Sequence, residues 1–224
     1  MELNRVYTKV FMWMFIGLLV TFLTGYIVSI NENMLINIFG KSTWMFLSVA
    51  DVILVIVLSA RIRKMNALTA KIMFIIYSFV SGLTFSAIFV TYQLVSIIYV
   101  FGITAVLFGM FAAIGHFTKI DLSKMGTFLF MGLIGIVICG IIGIFVQNET
   151  FDLTMCIIGL IIFTLYVMYD MHKIKYLLNC FDDEDNLAIC MALELYLDFI
   201  NIFLRLLQLF GKSKDLIPYF LSIY

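Results

Sequence analysis

The sequence predicts an all-α membrane protein: a seven-transmembrane helical bundle in which the C-terminal helix lies at the centre, surrounded by six others. Of the 224 residues, 64% are hydrophobic and 12% are charged, whereas a typical soluble domain carries about 25% charged residues. Apolar segments near the ~20 residues that a helix needs to cross a bilayer recur along the whole chain. The last of these segments differs from the others because a regular row of polar side chains interrupts it.

The apolar segments predict one transmembrane domain that uses residues 1–224. The first apolar run is too long for the core of a signal peptide and is therefore expected to remain as a span. The links at 93–95 and 147–152 are short enough to predict tight turns between antiparallel neighbours. The expected spans are 10–30, 43–60, 72–92, 96–115, 125–146, 153–171 and 188–210.

The loop charges predict the orientation, because cytosolic loops carry an excess of Lys and Arg. Seven spans place ten cations on one side: Arg5, Lys9, Arg61, Arg63, Lys64, Lys71, Lys119, Lys124, Lys173 and Lys175. The other side holds Lys41, Lys212 and Lys214. We therefore expect a cytosolic N-terminus. A last segment that crosses puts the C-terminus outside, whereas one that re-enters leaves both termini in the cytosol, and both alternatives stay open.

The last segment is apolar except for one polar stripe. Its members follow one another at spacings of 4, 3, 4 and 3, so at about 100° per residue they share one face of a helix. They are Glu194, Asp198, Asn201, Arg205 and Gln208. A charge near the middle of a bilayer costs at least ~2.5–3.5 kcal/mol. The stripe is therefore predicted to face protein or water, with the other helices around it.

Two further carboxyl groups lie within predicted spans, Asp51 in the second and Asp170 in the sixth. Together with Glu194 and Asp198 they give four acids against one base, Arg205. The structural interpretation is that these charges pair and stabilise the bundle. The functional one is that two neighbouring carboxyl groups share a proton in low dielectric and form a pH-sensitive latch. Once ionised, their oxygens are hard ligands suited to Ca²⁺.

The sequence contains no signature of an enzyme. There is no phosphate-binding loop, no HExxH and no serine elbow. The cysteines and the single His116 and His172 lack metal-ligand spacing. We therefore expect no catalysis, no cofactor and no nucleic-acid partner. The expected partners are the lipid bilayer, Ca²⁺ and H⁺, and the sequence specifies no protein partner.

Several segments together resemble the transmembrane Bax inhibitor motif family, in its bacterial form, over nearly the whole chain. They are VYTKVFMWMFIGLLVT, SARIRKMN, SGLTFSAIF, LYVMYDMHKIK and, above all, ALELYLDFINIFLRLL. The resemblance implies seven helices with the last one wrapped by the other six. It also implies a pH-sensitive Ca²⁺ leak and, in eukaryotic members, protection from cell death.

The resemblance assigns roles to individual residues. The family's proton-sharing aspartates fall on Asp170 and Asp198, which are also the expected Ca²⁺ ligands. The arginine that pairs with them falls on Arg61 or Arg63, and Arg61 is favoured because it lies closer to the membrane. The acidic residue of the second span corresponds to Asp51.

The remaining polar residues of the stripe receive supporting roles. Glu194 is expected at the mouth of the pathway, and Asn201 is expected to bond to the backbone or to a polar neighbour. Arg205 is expected to neutralise Asp51 or to line the outer part of the pathway. The acidic run 181–186, FDDEDN, is interpreted as a solvated turn, with weak attraction of cations as the alternative.

Three functions remain open at this stage. The first is a Ca²⁺-permeable channel or leak in the bacterial plasma membrane, gated by protonation of Asp170 and Asp198. The second is a Ca²⁺/H⁺ exchanger that uses the same carboxyl groups. The third is a partner-binding membrane protein whose buried charges only hold the bundle together. The chain ends in KSKDLIPYFLSIY rather than in the strongly basic tail of eukaryotic members, so regulation through such a tail is not carried over.

One geometric condition follows from these assignments. Asp198 is ten residues into its predicted span, about 15 Å along a helix axis, whereas Asp170 is close to the end of its own. For the two carboxyl groups to meet, the sixth helix must run past Met171 towards Tyr176, or the last must begin after Ala188.

Overall fold

Eight α-helices account for most of the chain in the computed structural model, which describes residues 2–39, 43–181 and 183–214. They are α1 (Glu2–Ser29), α2 (Glu32–Phe39), α3 (Thr43–Arg61), α4 (Ala67–Thr91), α5 (Leu94–Phe117), α6 (Ser123–Val146), α7 (Glu149–Leu177) and α8 (Glu184–Phe210). Every helix except the short α2 is long and apolar enough to cross a membrane. The predicted fold class, a seven-span helical membrane protein, is confirmed.

Several helices begin where a preceding side chain accepts hydrogen bonds from their first free backbone N–H groups. Asn66 Oδ1 accepts from Thr69 N at 2.8 Å and so starts α4. Asn148 Oδ1 does the same for α7, with Phe151 N at 3.1 Å. Before α6, the Ser123 hydroxyl and backbone N–H both donate to Asp121, and these two bonds hold the pKa of Asp121 below its usual range.

Helix α7 satisfies the geometric condition set by the sequence. It continues to Leu177, six residues past the predicted end of its span, so Asp170 lies well inside the helix rather than at its end. Helix α8 begins at Glu184, four residues earlier than predicted, and its 27 residues extend about 40 Å. In the apolar stretch of α8, 72% of the residues are buried, against at most 39% in the other six spans. This burial is what a central helix requires, and the central position itself stays a prediction.

The described residues form two compact units. Unit 1 contains α1 to α4, α8 as far as Tyr196, and the segment Lys212–Lys214 that follows α8. Unit 2 contains α5 to α7 and α8 from Leu197 onward. The single domain predicted for the whole chain stays a prediction. Lys41 and the tail 215–224 lie outside the described residues.

Two contacts within unit 1 bear on whether α8 crosses or re-enters. At its start, Asn186 Nδ2 donates to the Met65 carbonyl, in the link before α4. After its end, Lys214 N donates to the Thr91 carbonyl at 2.8 Å, where α4 finishes. Met65 and Thr91 stand at opposite ends of α4. These contacts favour a last segment that crosses, and the choice between crossing and re-entry stays a prediction.

Unit 2 is held together by close contacts of small and aromatic residues. Gly115 of α5 lies directly against the backbone of Met168 in α7, so that a Cβ on Gly115 would stand 2.9 Å from Met168 Cα. Phe199 of α8 packs against Phe101 and Phe108 of α5, with ring centroids 5.1 and 5.5 Å apart. Close approach at a glycine is the usual way in which apolar helices associate within lipid.

We predict that Gly115→Ala destabilises the protein by about 3 kcal/mol, the upper range for an overpacked core, because the obstacle is backbone that cannot rotate away. Gly102→Ala is the matched control on the same helix, since among the described residues no heavy atom beyond the adjacent part of its own helix stands within 4 Å of its Cβ position. Thermal unfolding in detergent compares the two variants. Equal midpoints would contradict the close α5–α7 contact.

Candidate functional site

The two aspartates of the predicted latch lie in unit 2, on α7 and on the second half of α8. Asp170 is 4% exposed and Asp198 is 5% exposed. The phenol of Tyr166, one turn before Asp170, lies within electrostatic range of both carboxyl groups. The structure therefore brings both side chains into the surroundings of one half-buried hydroxyl group. Carboxyl groups this deeply buried must exchange protons or find cations.

The site also contains a lysine, Lys173, which the sequence analysis did not assign to it. Lys173 Nζ lies 3.7 Å from Asp170 Oδ1, three residues further along α7. Its ammonium is also 5.7 Å from the centre of the Tyr169 ring. Lys173 was interpreted as a loop charge because the predicted span ended at Met171. Once α7 continues to Leu177, the i,i+3 spacing places the lysine next to the aspartate.

The two arginines after the second span have different surroundings within unit 1. Arg63 Nη2 lies 3.6 Å from Glu194 Oε1, and its guanidinium also bonds to the thiol of Cys190. Arg61 is exposed, and it forms no ion pair with any residue that the structure describes. The choice between Arg61 and Arg63 as partner of the aspartates stays a prediction.

Asp51 is held by hydroxyl groups. Its Oδ1 accepts a hydrogen bond from Ser81 Oγ at 2.7 Å, and Ser81 lies close to the hydroxyls of Tyr77 and Tyr196. Within the described part of unit 1, no cationic side chain forms an ion pair with Asp51. The sequence gave no sign of this network, because Ser and Tyr in a membrane helix also serve ordinary packing.

The outer part of the polar stripe makes contacts with its own unit. Asn201 Nδ2 donates to the carbonyl of Leu197, one turn earlier on α8, at 2.8 Å. Arg205 lies against Gly159, where a Cβ would stand 2.9 Å from its Nε. The Cys156 thiol donates to the Arg205 carbonyl at 3.2 Å. Arg205 and Asp51 belong to different units, so the suggested neutralisation of one by the other stays a prediction.

The acidic run before α8 is tied to lysines of unit 1. Asp185 accepts from Lys9 at 2.5 Å and from Lys71 at 2.6 Å, and Glu184 lies 3.3 Å from Lys9. For these two acids the expectation of a freely solvated turn is wrong. Asp182 lies outside the described residues. The network joins α1, α4 and the start of α8 at one end of the unit.

Comparison with known proteins identifies the family. The family model described as "Inhibitor of apoptosis-promoting Bax1" matches residues 3–215. The chain belongs to the Bax inhibitor-1 family. The resemblance drawn from the sequence is therefore confirmed, and the match includes both aspartates, both arginines and the whole polar stripe.

Bacterial relatives of the Bax inhibitor-1 family match over almost their full lengths. The Inner membrane protein YbhL of Escherichia coli strain K12 is 38% identical over 212 residues, 92% of this chain and 91% of the relative. An uncharacterized protein of Borreliella burgdorferi is 36% identical over 217 residues, 95% of this chain and 94% of the relative. An uncharacterized membrane protein of Streptococcus pyogenes serotype M1 is 32% identical over 217 residues, 94% of each chain. The protein is an integral membrane protein of this family.

The described residues contain no group of three or more His, Cys, Asp and Glu side chains arranged to hold a metal ion. Ca²⁺ is bound by carboxylates together with carbonyl and water oxygens, so two aspartates can form only part of such a site. Ca²⁺ binding at Asp170 and Asp198 therefore stays a prediction for this family member.

We predict that Ser81→Ala lowers the free energy of unfolding by about 1–3 kcal/mol, because it leaves the half-buried carboxyl group of Asp51 without its donor. Ser86→Ala is the matched control on the same helix, since Ser86 is also buried but donates only to the nearby Leu83 carbonyl. Chemical or thermal unfolding in detergent measures both. A larger loss in Ser86→Ala than in Ser81→Ala would contradict the hydroxyl support of Asp51.

Proposed function

We propose that this Bax inhibitor-1 family protein is a pH-sensitive, Ca²⁺-permeable channel or leak, gated by Asp170 and Asp198. The observation that carries the proposal is the burial of two carboxyl groups on α7 and α8 around one phenol, Tyr166. We further propose that it resides in the bacterial plasma membrane with a cytosolic N-terminus, because the Lys and Arg asymmetry of the loops favours that orientation.

The gate works through the proton count of the pair. With one proton between them, the two carboxyl groups form a short hydrogen bond that joins α7 to α8 and closes the pathway. Loss of that proton leaves two negative charges in low dielectric, which repel each other by several kcal/mol at short range. The helices then part, and carboxylate oxygens face the pathway as ligands for Ca²⁺.

Lys173 competes with Ca²⁺ for the Asp170 carboxylate in the open pathway. Its ammonium is already 3.7 Å from Asp170, so an arriving cation must share that carboxylate with it or displace it. The side chain is 21% exposed, which leaves the ammonium room to swing towards water. Such an exchangeable internal cation suits a leak of modest rate more than a tight Ca²⁺ site.

When the aspartate pair loses its proton, Arg61 can bind a carboxylate at a lower free-energy cost than Arg63. It has no described ion pair to give up, whereas Arg63 would have to leave Glu194. Breaking an ion pair removes part of the gain from making a new one. Arg63 is therefore assigned to hold Glu194 at the mouth of the pathway.

A Ca²⁺/H⁺ exchanger is the second candidate, and the hydroxyl network at Asp51 favours it. Ser81 bonds to Asp51 and lies close to the hydroxyl of Tyr196, which bonds to Thr21. A row of exchangeable O–H groups within the membrane is suited to move protons. Ca²⁺ flux with a fixed proton stoichiometry, driven by an opposing proton gradient, would favour exchange over a leak.

The aspartate pair is tested by Asp170→Asn and Asp198→Asn in proteoliposomes. Ca²⁺ flux of the native chain should rise by about tenfold between about pH 6 and 8, as expected where the loss of one shared proton opens the gate. In either variant the rise should shrink to less than about twofold, because an amide cannot lose that proton. Fluorescent Ca²⁺ indicators inside the liposomes report the flux.

Asp152→Asn is the matched control, since Asp152 is an exposed aspartate at the opposite end of the same helix. It should retain the native pH response. Unchanged flux in both buried-aspartate variants would refute the gate, and the absence of any flux in the native chain would favour the partner-binding alternative.

The arginine assignment is tested by comparing Arg61→Gln with Arg63→Gln. Arg61→Gln should lower Ca²⁺ flux at pH 8 by about fivefold, the effect of losing one charge-assisted contact in the open state. Arg63→Gln should leave that flux near the native value and lower the unfolding temperature instead. The reverse pattern would assign the gate to Arg63.

A further inference from the structure

An apolar groove opens on the surface of unit 1 between α1, α2 and α4. Its volume is about 360 Å³, within the range of pockets that bind small ligands in proteins. The apolar side chains that line it are Ile27, Val28, Met34, Ile38, Phe79 and Leu83. Thr24 and Asn37 complete the wall. A wall of this composition suits a ligand that is mostly hydrocarbon and carries few polar atoms.

Helix α2 forms one side of the groove and is placed at the membrane surface by its length and composition. It joins two spans, α1 and α3, and its eight residues extend about 12 Å, too little to cross a bilayer. None of these eight residues is buried. Five are apolar, and the polar ones are Glu32, Asn33 and Asn37. A short amphipathic helix of this kind is expected to lie in the interface between headgroups and acyl chains.

Helices α1 and α4, the two spans that line the groove, pack in parallel. A Cβ on Gly17 would stand 3.1 Å from Ser78 Oγ. Further along α1, a Cβ on Gly25 would stand 3.0 Å from Phe89 Cε2. Since the contacts on α4 advance together with those on α1, the depth of a residue on one helix can be read from the other.

The groove extends from α2 into one leaflet of the bilayer. Gly82 is level with Thr24, because a Cβ on Gly82 would stand 2.6 Å from Thr24 Cβ. Phe79 lies three residues before Gly82, and α1 ends at Ser29, five residues after Thr24. Phe79 is therefore about 12 Å below the end of α1. The hydrocarbon of one leaflet is about 15 Å deep, so the groove covers most of the depth that one acyl chain occupies.

The groove is continuous with the lipid-facing surface of the same two helices. Within it, Ile27 is 53% exposed and Phe79 is 49% exposed. Beside it, Leu23 on α1 and Ile76 on α4 are exposed to a similar degree. In an integral membrane protein, an exposed apolar surface on a span is in contact with lipid. The acyl chains of the bilayer are therefore the ligands that reach this groove directly.

The hydrophobic effect alone does not hold a chain in the groove, because lipid tails are as apolar as its walls. The groove adds close packing against three helices in place of one, and packing of this kind drives association within lipid. It also adds the Asn37 side chain, which can donate and accept hydrogen bonds. Because Asn37 lies on α2, its amide is at the depth at which the ester groups of a phospholipid lie.

We propose that the groove between α1, α2 and α4 is a phospholipid site, which holds one acyl chain and binds the ester group of that lipid through Asn37. All of its residues belong to unit 1, and the inference is independent of the ion pathway. The competing explanation is ordinary bilayer contact, in which the groove retains lipid no longer than the rest of the surface.

The site is tested by titrating the full chain, washed free of lipid in detergent, with a phosphatidylethanolamine that carries a photoactivatable group in one acyl chain. Native mass spectrometry counts the bound lipids, and irradiation locates them. One lipid per chain should bind more tightly than any further ones, and its adducts should lie on α2 and on the adjoining turns of α1 and α4.

Two variants fill the groove from different sides. Leu83→Trp should raise the Kd of the first lipid by about tenfold, the effect of overpacking a fitted space. Ile38→Trp should do the same from α2, where the added ring displaces no buried neighbour, and it serves if Leu83→Trp does not fold. Ile76→Trp is the matched control, because Ile76 is two turns before Leu83 on the same side of α4 but does not line the groove.

The role of the amide is tested by Asn37→Ala, which should raise that Kd by about fivefold, the effect of losing one hydrogen bond. Asn33→Ala is the control on the same helix, since Asn33 is exposed but does not line the groove. An Asn37→Ala variant that binds the lipid like the native chain would remove Asn37 from the site.

Three results would overturn the proposal. The first is equal binding by the groove-filling variants and Ile76→Trp, which would indicate ordinary contact with lipid. The second is tight binding only in a chain shortened to end at Lys214, which would assign the groove to the segment 215–224. The third is binding to the monomer alone, with a dimer that excludes the lipid, which would assign the groove to a second copy of the chain.

Discussion

Helix α8 carries polar side chains through an environment in which a charge without a partner costs several kcal/mol, and the rest of the structure responds to that cost. Glu194 has Arg63 at 3.6 Å, and Asn201 bonds back to its own helix. Tyr196 has Thr21 at 2.7 Å. These three polar groups of α8 are each met by a different kind of partner: a cation, a backbone carbonyl or a hydroxyl.

These partners divide α8 into a first half with fixed contacts and a second half whose surrounding charges can change. The first half is fixed by the lysines around Asp185, by Arg63 and by the Tyr196 hydrogen bond. In the second half, Asp198 lies within electrostatic range of Tyr166, as do Asp170 and Lys173, and the charge around that phenol depends on protons and on movement of a side chain. A gate needs both properties, because a latch that opens must work against a helix that does not move with it.

How much the sequence could predict depended on the range of the interactions. Spans and buried acids were predictable, because hydropathy and helical periodicity are local properties, and so was the stripe from Glu194 to Gln208. Lys173 was misplaced because helix α7 ends six residues later than its apolar stretch. The partners of Asp185 were not predictable, since Lys9 and Lys71 are 176 and 114 residues away. The amphipathic helix α2 was missed because eight residues are too few to resemble a span.

The hydroxyl partners of the acids are the feature that the sequence predicts least well. Asp51 and Asp170 are both carboxyl groups within apolar helices, yet Asp51 is held by the neutral donor Ser81 and Asp170 by the cation Lys173. A neutral donor offers a hydrogen bond to a carboxylate without cancelling its charge, so a passing cation is still attracted. An ammonium cancels the charge and must first move aside. The two acids, one in each unit, therefore differ in how a cation can reach them: directly at Asp51, and at Asp170 only by exchange with Lys173.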